Sequence, residues 1–246
     1  MNLLVCISKT PDTTSKIAFK SNDTEYNAEG VNFIMNPYDE WYALVRAIEL
    51  AEQHGGYVTV LNVGPASNDI IIRKALAIGA NEAVRVDIDQ HDSYITAINI
   101  ASYAKSTSFD IIFLGKETID YNGSEVGAMV SELLNLPFIS YASALEVEGN
   151  TSKITREIEG GVEIIQVEGP FVLSAAKGLA EQRIPNMKGI MMAKSKPLNV
   201  ISPVNNDPRI KAIKYVLPNQ KTGVKLIDPE NIDELVRLLH EEAKVI

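Results

Sequence analysis

Residues 115–129, GKETIDYNGSEVGAM, join a short apolar run to a segment with helical spacing, and their composition suits a phosphate-binding turn. A helix N-terminus offers unpaired N–H groups and the positive end of the helix dipole, and both attract a phosphate. The residues that could approach or bond such a ligand are Gly115, Asp120, Asn122, Gly123, Ser124 and Gly127. The spacing fits neither a Walker A loop nor the GxGxxG fingerprint. From these residues alone, the segment is either a phosphate site or an ordinary capped turn.

Other kinds of chemistry have little support in the sequence. His54, His91 and His240 are far apart, and none has a Cys, His or Asp at metal-ligand spacing, so no metal site is predicted. There is no GxSxG nucleophile elbow and no Cys/His signature. Glu157 and Glu159 alternate on a predicted strand and face one side, which is typical of a solvated surface. The sequence therefore predicts no catalytic residues and gives a hydrolase little support.

A second stretch, MNPYDEWYAL at 35–44, predicts a turn followed by a helix, because Asn36-Pro37 is a strong turn and helix-start signal. The aromatic Trp41 is predicted to face the core. Tyr38 falls near the first helical turn, from which its ring could face a ligand.

The remaining pattern predicts a doubly wound, mostly parallel, Rossmann-like α/β sheet. Short β-branched runs indicate buried strands at 3–8, 57–63, 83–87 and 110–115. Helical spacing of apolar residues follows at 41–51, 71–78, 93–105 and 126–134. Strands that alternate with helices predict parallel pairing with right-handed crossovers.

The sequence pattern changes after about residue 138. Strand-like runs separated by Gly-Asn and Gly-Gly turns predict antiparallel hairpin additions to the sheet. Residues 179–198, with proline, glycine, basic residues and methionines, are predicted to form a surface loop or a short helix.

The C-terminal part predicts an arm that ends in a helix. Residues 199–227 lack a clear period, and Asp228 and Pro229 are a plausible N-cap and first helical residue. The apolar stripe of this helix needs a cover, either from the same domain or from another chain. We therefore predict a domain at 1–198 and an arm at 199–246.

Composition limits the possible partners and location. The formal net charge of -9 disfavours nucleic-acid binding, which relies on Lys and Arg facing phosphates. Cys6 is the single cysteine, so no intrachain disulfide can form, and this fits a reducing compartment. No signal peptide and no apolar run of membrane-spanning length is found, so no direct membrane insertion is predicted. We expect a cytoplasmic protein, although a matrix protein with its transit peptide removed fits equally well for a eukaryote.

Five stretches carry a family resemblance. They are LLVCISKTPD, MNPYDE, NVGPASNDIIIRKALAIGANEAVRV, GKETIDYNGSEVGAM and TREIEGGVEIIQVEGPFVLSAAKGLAEQRIPNMKGIMMAKSKP. Their order and spacing, from about residue 2 to residue 198, are similar to those of the small (beta) subunit of electron transfer flavoprotein. The resemblance implies a fold of the adenine-nucleotide-binding type. It also implies an electron carrier, which needs no acid, base or nucleophile of its own because the cofactor supplies the redox chemistry.

The family implies specific cofactors and partners. A large (alpha) subunit holds most of the FAD near the subunit junction, and the small subunit usually binds AMP, which is not redox-active. The heterodimer takes electrons from acyl-CoA and related flavin dehydrogenases, as in fatty acid β-oxidation, and passes them to a membrane quinone reductase.

The resemblance also implies which residues bind the cofactors. The backbone amides of Ser124, Glu125 and Val126 match those at the AMP phosphate, with Asp120 and Gly127 shaping the turn. The other positions matched to this site are Gly123 in the turn, Cys6, Asn36 and Val63 at the adenosine pocket, and Tyr38 near the flavin ring.

Residues 183–196 match the segment with which the family recognises its dehydrogenases. Met187 falls where an apolar anchor inserts into the partner, at a position that is commonly Leu followed by Pro, whereas Lys188 follows here. Arg183 and Ile190 belong to the same predicted partner surface. The alternative is a surface loop whose methionines only pack locally.

Two other functions stay open at this point. Bifurcating relatives carry a second FAD instead of AMP, but Asp120–Gly127 departs from their pattern, and Tyr121 would crowd a space that their glycine leaves open. A stand-alone adenine-nucleotide-binding module is the second alternative. The recognition-like segment and the arm favour the subunit, because a simple nucleotide sensor needs neither; we expect the arm to dock on the large subunit.

Overall fold

The computed structural model describes residues 1–89, 92–204, 207–220 and 223–246. These residues form two compact units. The first unit comprises Met1–Ala18 and Asn27–Ala212, and the second comprises Phe19–Tyr26 and Ile213–Ile246.

The secondary-structure elements are numbered in chain order. The strands are β1 (Asn2–Cys6), β2 (Lys9–Pro11), β3 (Phe19–Lys20), β4 (Glu25–Tyr26), β5 (Phe33–Met35), β6 (Tyr57–Gly64), β7 (Glu82–Asp87), β8 (Ile111–Gly115), β9 (Phe138–Glu148), β10 (Thr151–Ile158), β11 (Gly161–Glu168), β12 (Phe171–Ala175) and β13 (Leu198–Ile201). The helices are α1 (Asp39–His54), α2 (Asp69–Ile78), α3 (Ser93–Ser106), α4 (Val126–Leu134), α5 (Met187–Ala193) and α6 (Ile232–Arg237).

The first unit is built around a nine-stranded sheet in the order β11-β10-β9-β12-β8-β1-β6-β7-β13. From β9 to β13 in this order, neighbouring strands pair in parallel, and β10 and β11 add antiparallel strands at one edge. The chain runs from β1 through β6 to β7 and then returns to β8 on the other side of β1. The order therefore reverses between β1 and β8, which is where doubly wound sheets bind ligands. The predicted fold class is confirmed.

Alternation along the strands divides the core between the two faces of the sheet. Leu3 and Val5 of β1 are buried in one cluster with residues of α1 and α2. Leu4 and Cys6 point to the opposite face, into a cluster with residues of α3 and α4. Trp41 is buried in the first cluster, as predicted.

Three features were not predicted. Strand β13 pairs in parallel with β7, so regular structure of the first unit continues into a region that has no clear period. The short strands β2 and β5 form an antiparallel ribbon, as do β3 and β4. These strands are too short for the alternation of side chains to show in the sequence.

The predicted start of the last helix is wrong. Helix α6 begins at Ile232, where the side chain of Asn231 accepts a hydrogen bond from Glu234 N at 3.2 Å. Asp228 instead accepts from Glu230 N at 3.0 Å in the preceding turn. Asn and Asp are equally good caps, so the pattern does not decide between them.

The second unit has its own packing contacts and a large apolar surface. The rings of Phe19 and Tyr215 stack with centroids 4.8 Å apart. On α6, however, Ile232, Leu235 and Val236 remain exposed. Docking of this arm on a large subunit stays a prediction.

Candidate functional site

The candidate site lies at the carboxyl ends of the central parallel strands. Cys6 ends β1, Gly115 ends β8, and Val63 is the penultimate residue of β6. Cys6 and Val63 are both buried, so their side chains form an apolar floor at this edge. The sheet thus brings together three positions that are far apart in the sequence, at the reversal between β1 and β8.

The loop from β8 to α4 lies over this edge and opens onto a helix N-terminus. Asn122 and Ser124 have positive φ angles of 50° and 51°, which turn the chain sharply before α4. Glu125 occupies the N-cap position, and no side chain caps the helix among the described residues. The first-turn N–H groups of α4 are therefore available to a ligand, with the helix dipole behind them.

The glycines of this loop have different roles. A Cβ on Gly127 would lie 2.8 Å from the Phe138 ring, so this glycine lets α4 pack closely on β9. A Cβ on Gly115 would lie 2.8 Å from Cγ of Glu40, so Gly115 makes room for the start of α1. A Cβ on Gly123 would lie 3.5 Å from a carboxylate oxygen of Glu125, which is an ordinary van der Waals contact. Of these three glycines, Gly123 is thus the one where a Cβ would displace no neighbouring atom.

The side chain of Asn36 holds the loop between β8 and α4 in place. Its side chain is fully buried, and Nδ2 donates to Glu117 O while Oδ1 accepts from Ile119 N, both at 3.0 Å. Its backbone N also donates to Ser8 O at 2.9 Å. The amide is thus engaged with the loop backbone, which makes Asn36 a support of the loop between β8 and α4.

Tyr38 is presented to solvent by an unusual backbone conformation. Its φ and ψ angles are 63° and -97°, and 60% of the residue is exposed. Such a conformation costs about 1–3 kcal/mol in a residue other than glycine and is often found at functional sites. Tyr38 and Lys116 line a groove of about 300 Å³ whose other lining residues are Pro37, Asp39, Tyr42, Glu117, Ile119 and Lys177.

A buried carboxyl group lies beside the site. Glu40 accepts hydrogen bonds from Ser8 N at 2.6 Å and Ser8 Oγ at 2.7 Å. Burial raises the pKa of Glu40 to about 8, with a further increase from the charges of Asp120 and Asp39, against the lowering effect of the Ser8 hydrogen bonds. Burial likewise raises the pKa of Asp39 to about 6.

The surroundings of the cysteine at this edge oppose a nucleophilic role. Burial raises the pKa of the Cys6 thiol, and the neighbouring Glu40 raises it further. A thiol must ionise to attack, and this environment opposes ionisation. Cys6 thus contributes only its small apolar side chain to the floor that it forms with Val63.

Sequence reasoning missed Ser8 and Glu40. Acidic residues are common in the first turn of a helix, because they interact favourably with the dipole, so Glu40 carried no distinguishing signal. Its burial results from the close passage of α1 over Gly115, which is a tertiary contact.

The predicted partner surface is exposed. Met187 is 75% exposed, and Lys188 and Ile190 are also exposed. Arg183 forms an ion pair with Glu52 at 2.9 Å. These residues lie on one continuous segment, residues 183–196, which includes α5.

Two negative findings concern the described residues. They contain no group of three or more side chains suited to hold a metal ion, and His91 lies outside them. They also include no helix with both the length and the apolar character needed to cross a membrane.

Comparisons with known proteins agree on one family. The sequence model of the electron transfer flavoprotein domain matches residues 24–205. The chain is 37% identical over 260 aligned positions to the electron transfer flavoprotein subunit beta of Bacillus subtilis (strain 168), with 100% of both chains covered. It is 34% identical over 235 positions to the subunit beta of Syntrophomonas wolfei, covering 94% of this chain and 92% of the relative. It is 31% identical over 256 positions to the subunit beta of Homo sapiens, covering 100% of this chain and 99% of the relative.

Proposed function

The chain belongs to the family of electron transfer flavoprotein beta subunits, and we propose that it binds AMP structurally while it helps a large subunit position FAD for electron transfer. The observation that carries the nucleotide part is the uncapped N-terminus of α4 beside the reversal between β1 and β8. A phosphate at that point would accept hydrogen bonds from the N–H groups of Ser124, Glu125 and Val126.

The residues present fit an adenine nucleotide. The floor formed by Cys6 and Val63 is apolar and suits an adenine ring, and Gly123 is exposed at the phosphate end. The carboxylates of Asp120 and Glu125 belong to exposed residues, so solvent screens their repulsion of a phosphate.

FAD supplies the redox chemistry when it is bound. This chain would contribute the exposed ring of Tyr38, held in position by its backbone conformation at the groove. The proposed electron donors are acyl-CoA and related flavin dehydrogenases, and the proposed acceptor is a membrane quinone reductase. We also propose a cytoplasmic location, and no catalytic residue is required of this chain.

The nucleotide content of the purified complex tests the proposal. The chain is co-expressed with its large subunit, the heterodimer is purified and denatured, and the released nucleotides are identified by mass. One FAD and one AMP per heterodimer are expected. Two FAD and no AMP would instead indicate a bifurcating protein, and purification of this chain alone with a nucleotide would favour a stand-alone module.

We expect Met187→Ala to slow electron transfer from a flavin dehydrogenase without lowering the flavin content. The side chain is 75% exposed, so its truncation leaves the core intact, while loss of a central apolar anchor typically weakens binding by about 2 kcal/mol. Stopped-flow reduction of the heterodimer at varied dehydrogenase concentration measures the effect. Met187→Leu is the control, because it keeps an apolar anchor, and should retain a rate close to that of the wild type. Full activity of Met187→Ala would show that the methionine only packs locally.

A further inference from the structure

The segment that carries Met187 is fastened to α2 by two cationic side chains that reach in opposite directions. Arg73 on α2 donates through Nη1 to Ala193 O at 2.8 Å and to Lys196 O at 2.7 Å. Lys196 donates back through Nζ to Leu76 O at 2.9 Å and to Ala80 O. We call Arg73 and Lys196 the clamp.

The clamp satisfies carbonyl groups that helix ends leave without partners. The last carbonyls of a helix have no intrahelical donor, and they form the negative end of its dipole. Leu76 lies in the last turn of α2, and Ala193 is the last residue of α5. Arg73 of α2 therefore binds the C-terminal end of α5, and Lys196, which follows α5, binds the C-terminal turn of α2. Both side chains are only partly exposed to water.

The centre of the segment lies directly on α2 as well. A Cβ on Gly189 would lie 2.3 Å from the backbone oxygen of Ala77, so the two backbones are in close contact there. The side chain of Asn186 caps α5 by accepting from Gly189 N at 2.8 Å. Where the segment begins, Trp41 Nε1 donates to Arg183 O at 3.2 Å.

The opposite side of the segment is apolar and unburied. Ile184, Met187 and Met191 are 78%, 75% and 70% exposed. A helix as short as α5 has little stability of its own, and side chains that remain in water add no packing energy to it. Contacts on the α2 side must therefore hold its shape.

We propose that Arg73 and Lys196 are positioning residues that keep α5 preformed for docking to the flavin dehydrogenase. This rests on the proposed function, in which Met187 is the contacting side chain. A preformed segment avoids the loss of conformational freedom that ordering on binding would require. Releasing the clamp should weaken docking and leave the electron-transfer step within the docked complex nearly unchanged.

The test uses the holo heterodimer with a substrate-reduced acyl-CoA dehydrogenase as the probe. Arg73→Gln is expected to raise the KM for the heterodimer by about tenfold, with kcat within about twofold of the wild type. Lys196→Gln should act in the same direction, and Arg73→Lys should restore part of the loss. Hydrogen exchange of the α5 amides should become faster in Arg73→Gln.

Arg46→Gln is the matched control. Arg46 on α1 also donates to a backbone carbonyl, that of Leu145, and to the Glu49 carboxylate, and neither partner belongs to the segment. Its KM should stay at the wild-type value even if stability falls. If the KM is unchanged in both Arg73→Gln and Lys196→Gln while the wild-type heterodimer accepts electrons normally, the clamp proposal is overturned and the proposed function stands. A wild-type heterodimer that accepts no electrons from flavin dehydrogenases would overturn the proposed function, and the clamp proposal with it.

Discussion

Asn36→Leu is expected to release AMP from the purified heterodimer and to lower the free energy of unfolding by about 3 kcal/mol. The side chain is fully buried and bonds both Glu117 O and Ile119 N. Leucine has a similar size but no hydrogen-bonding atoms, so a partly buried carbonyl and a partly buried N–H lose their partners. Each such group costs about 1–3 kcal/mol when it is left unsatisfied.

The expected loss of AMP follows from the position of these two bonds. Glu117 and Ile119 lie in the loop that leads to the N-terminus of α4, where the phosphate is proposed to bind. Without the amide bonds the loop loses its fixed course over the carboxyl edge, and the N–H groups of the first helical turn no longer converge on one point. Nucleotide release followed by mass spectrometry measures the AMP, and urea unfolding measures the stability.

Asn99→Leu provides the comparison for Asn36→Leu. Asn99 is also a buried amide, which donates to Ile95 O at 2.9 Å and accepts from Val204 N at 2.9 Å, both away from the loop. The Asn99→Leu heterodimer should lose a comparable amount of stability and still contain AMP. If Asn36→Leu also kept one AMP per heterodimer, its amide would be a core contact with no bearing on the nucleotide.

The contrast between Asn36 and the strands shows what the sequence could predict. The runs that became β1, β6, β7 and β8 are local patterns, since each carries its own apolar signal, and all four were predicted. The partners of Asn36 lie 81 and 83 residues further along the chain, and no local pattern contains them. The sequence thus located the loop between β8 and α4 and singled out Asn36, but it did not predict the hydrogen bonds by which Asn36 holds that loop.

The same reasoning applies to the glycines and to the clamp. Glycine at 115 and at 127 suggested room for a ligand, yet in the structure both make room for neighbouring protein, Glu40 and Phe138. Arg73 and Lys196 are ordinary residues on amphipathic or polar stretches, and only the packing of α5 on α2 pairs them. Exposure of Met187, by contrast, agrees with the prediction of a loop or short helix at the surface over residues 179–198.

Glu40→Gln is expected to change how stability depends on pH. The pKa of Glu40 is raised from 4.5 to about 8 in the folded protein, mainly by burial. Between these values the folded state holds a proton that the unfolded state has released, so stability falls as pH rises through this window. Glutamine has no proton to lose, while its oxygen can still accept from Ser8 N and its amide can donate to Ser8 Oγ.

Urea unfolding of both proteins at pH 5.5, 7 and 8.5 measures this difference. The stability of Glu40→Gln relative to the wild type should increase by about 3 kcal/mol across the range, since each unit of pKa shift corresponds to about 1.4 kcal/mol. Subtracting the two curves removes the contributions of the other titrating groups. Asp39→Asn is the comparison, because its pKa of about 6 confines its effect to the acidic part of the range.

Parallel curves for Glu40→Gln and the wild type would show that Glu40 is ionised throughout.

The expected difference between the two stability curves has a consequence for the proposed nucleotide. Glu40 lies close enough to Asp120 for their charges to interact, and Asp120 belongs to the loop proposed to bind the phosphate. A proton on Glu40 removes one negative charge from beneath an anion site, where unscreened repulsion would be strongest. The wild type should therefore lose AMP above pH 8 more readily than Glu40→Gln, which carries no charge at this position at any pH.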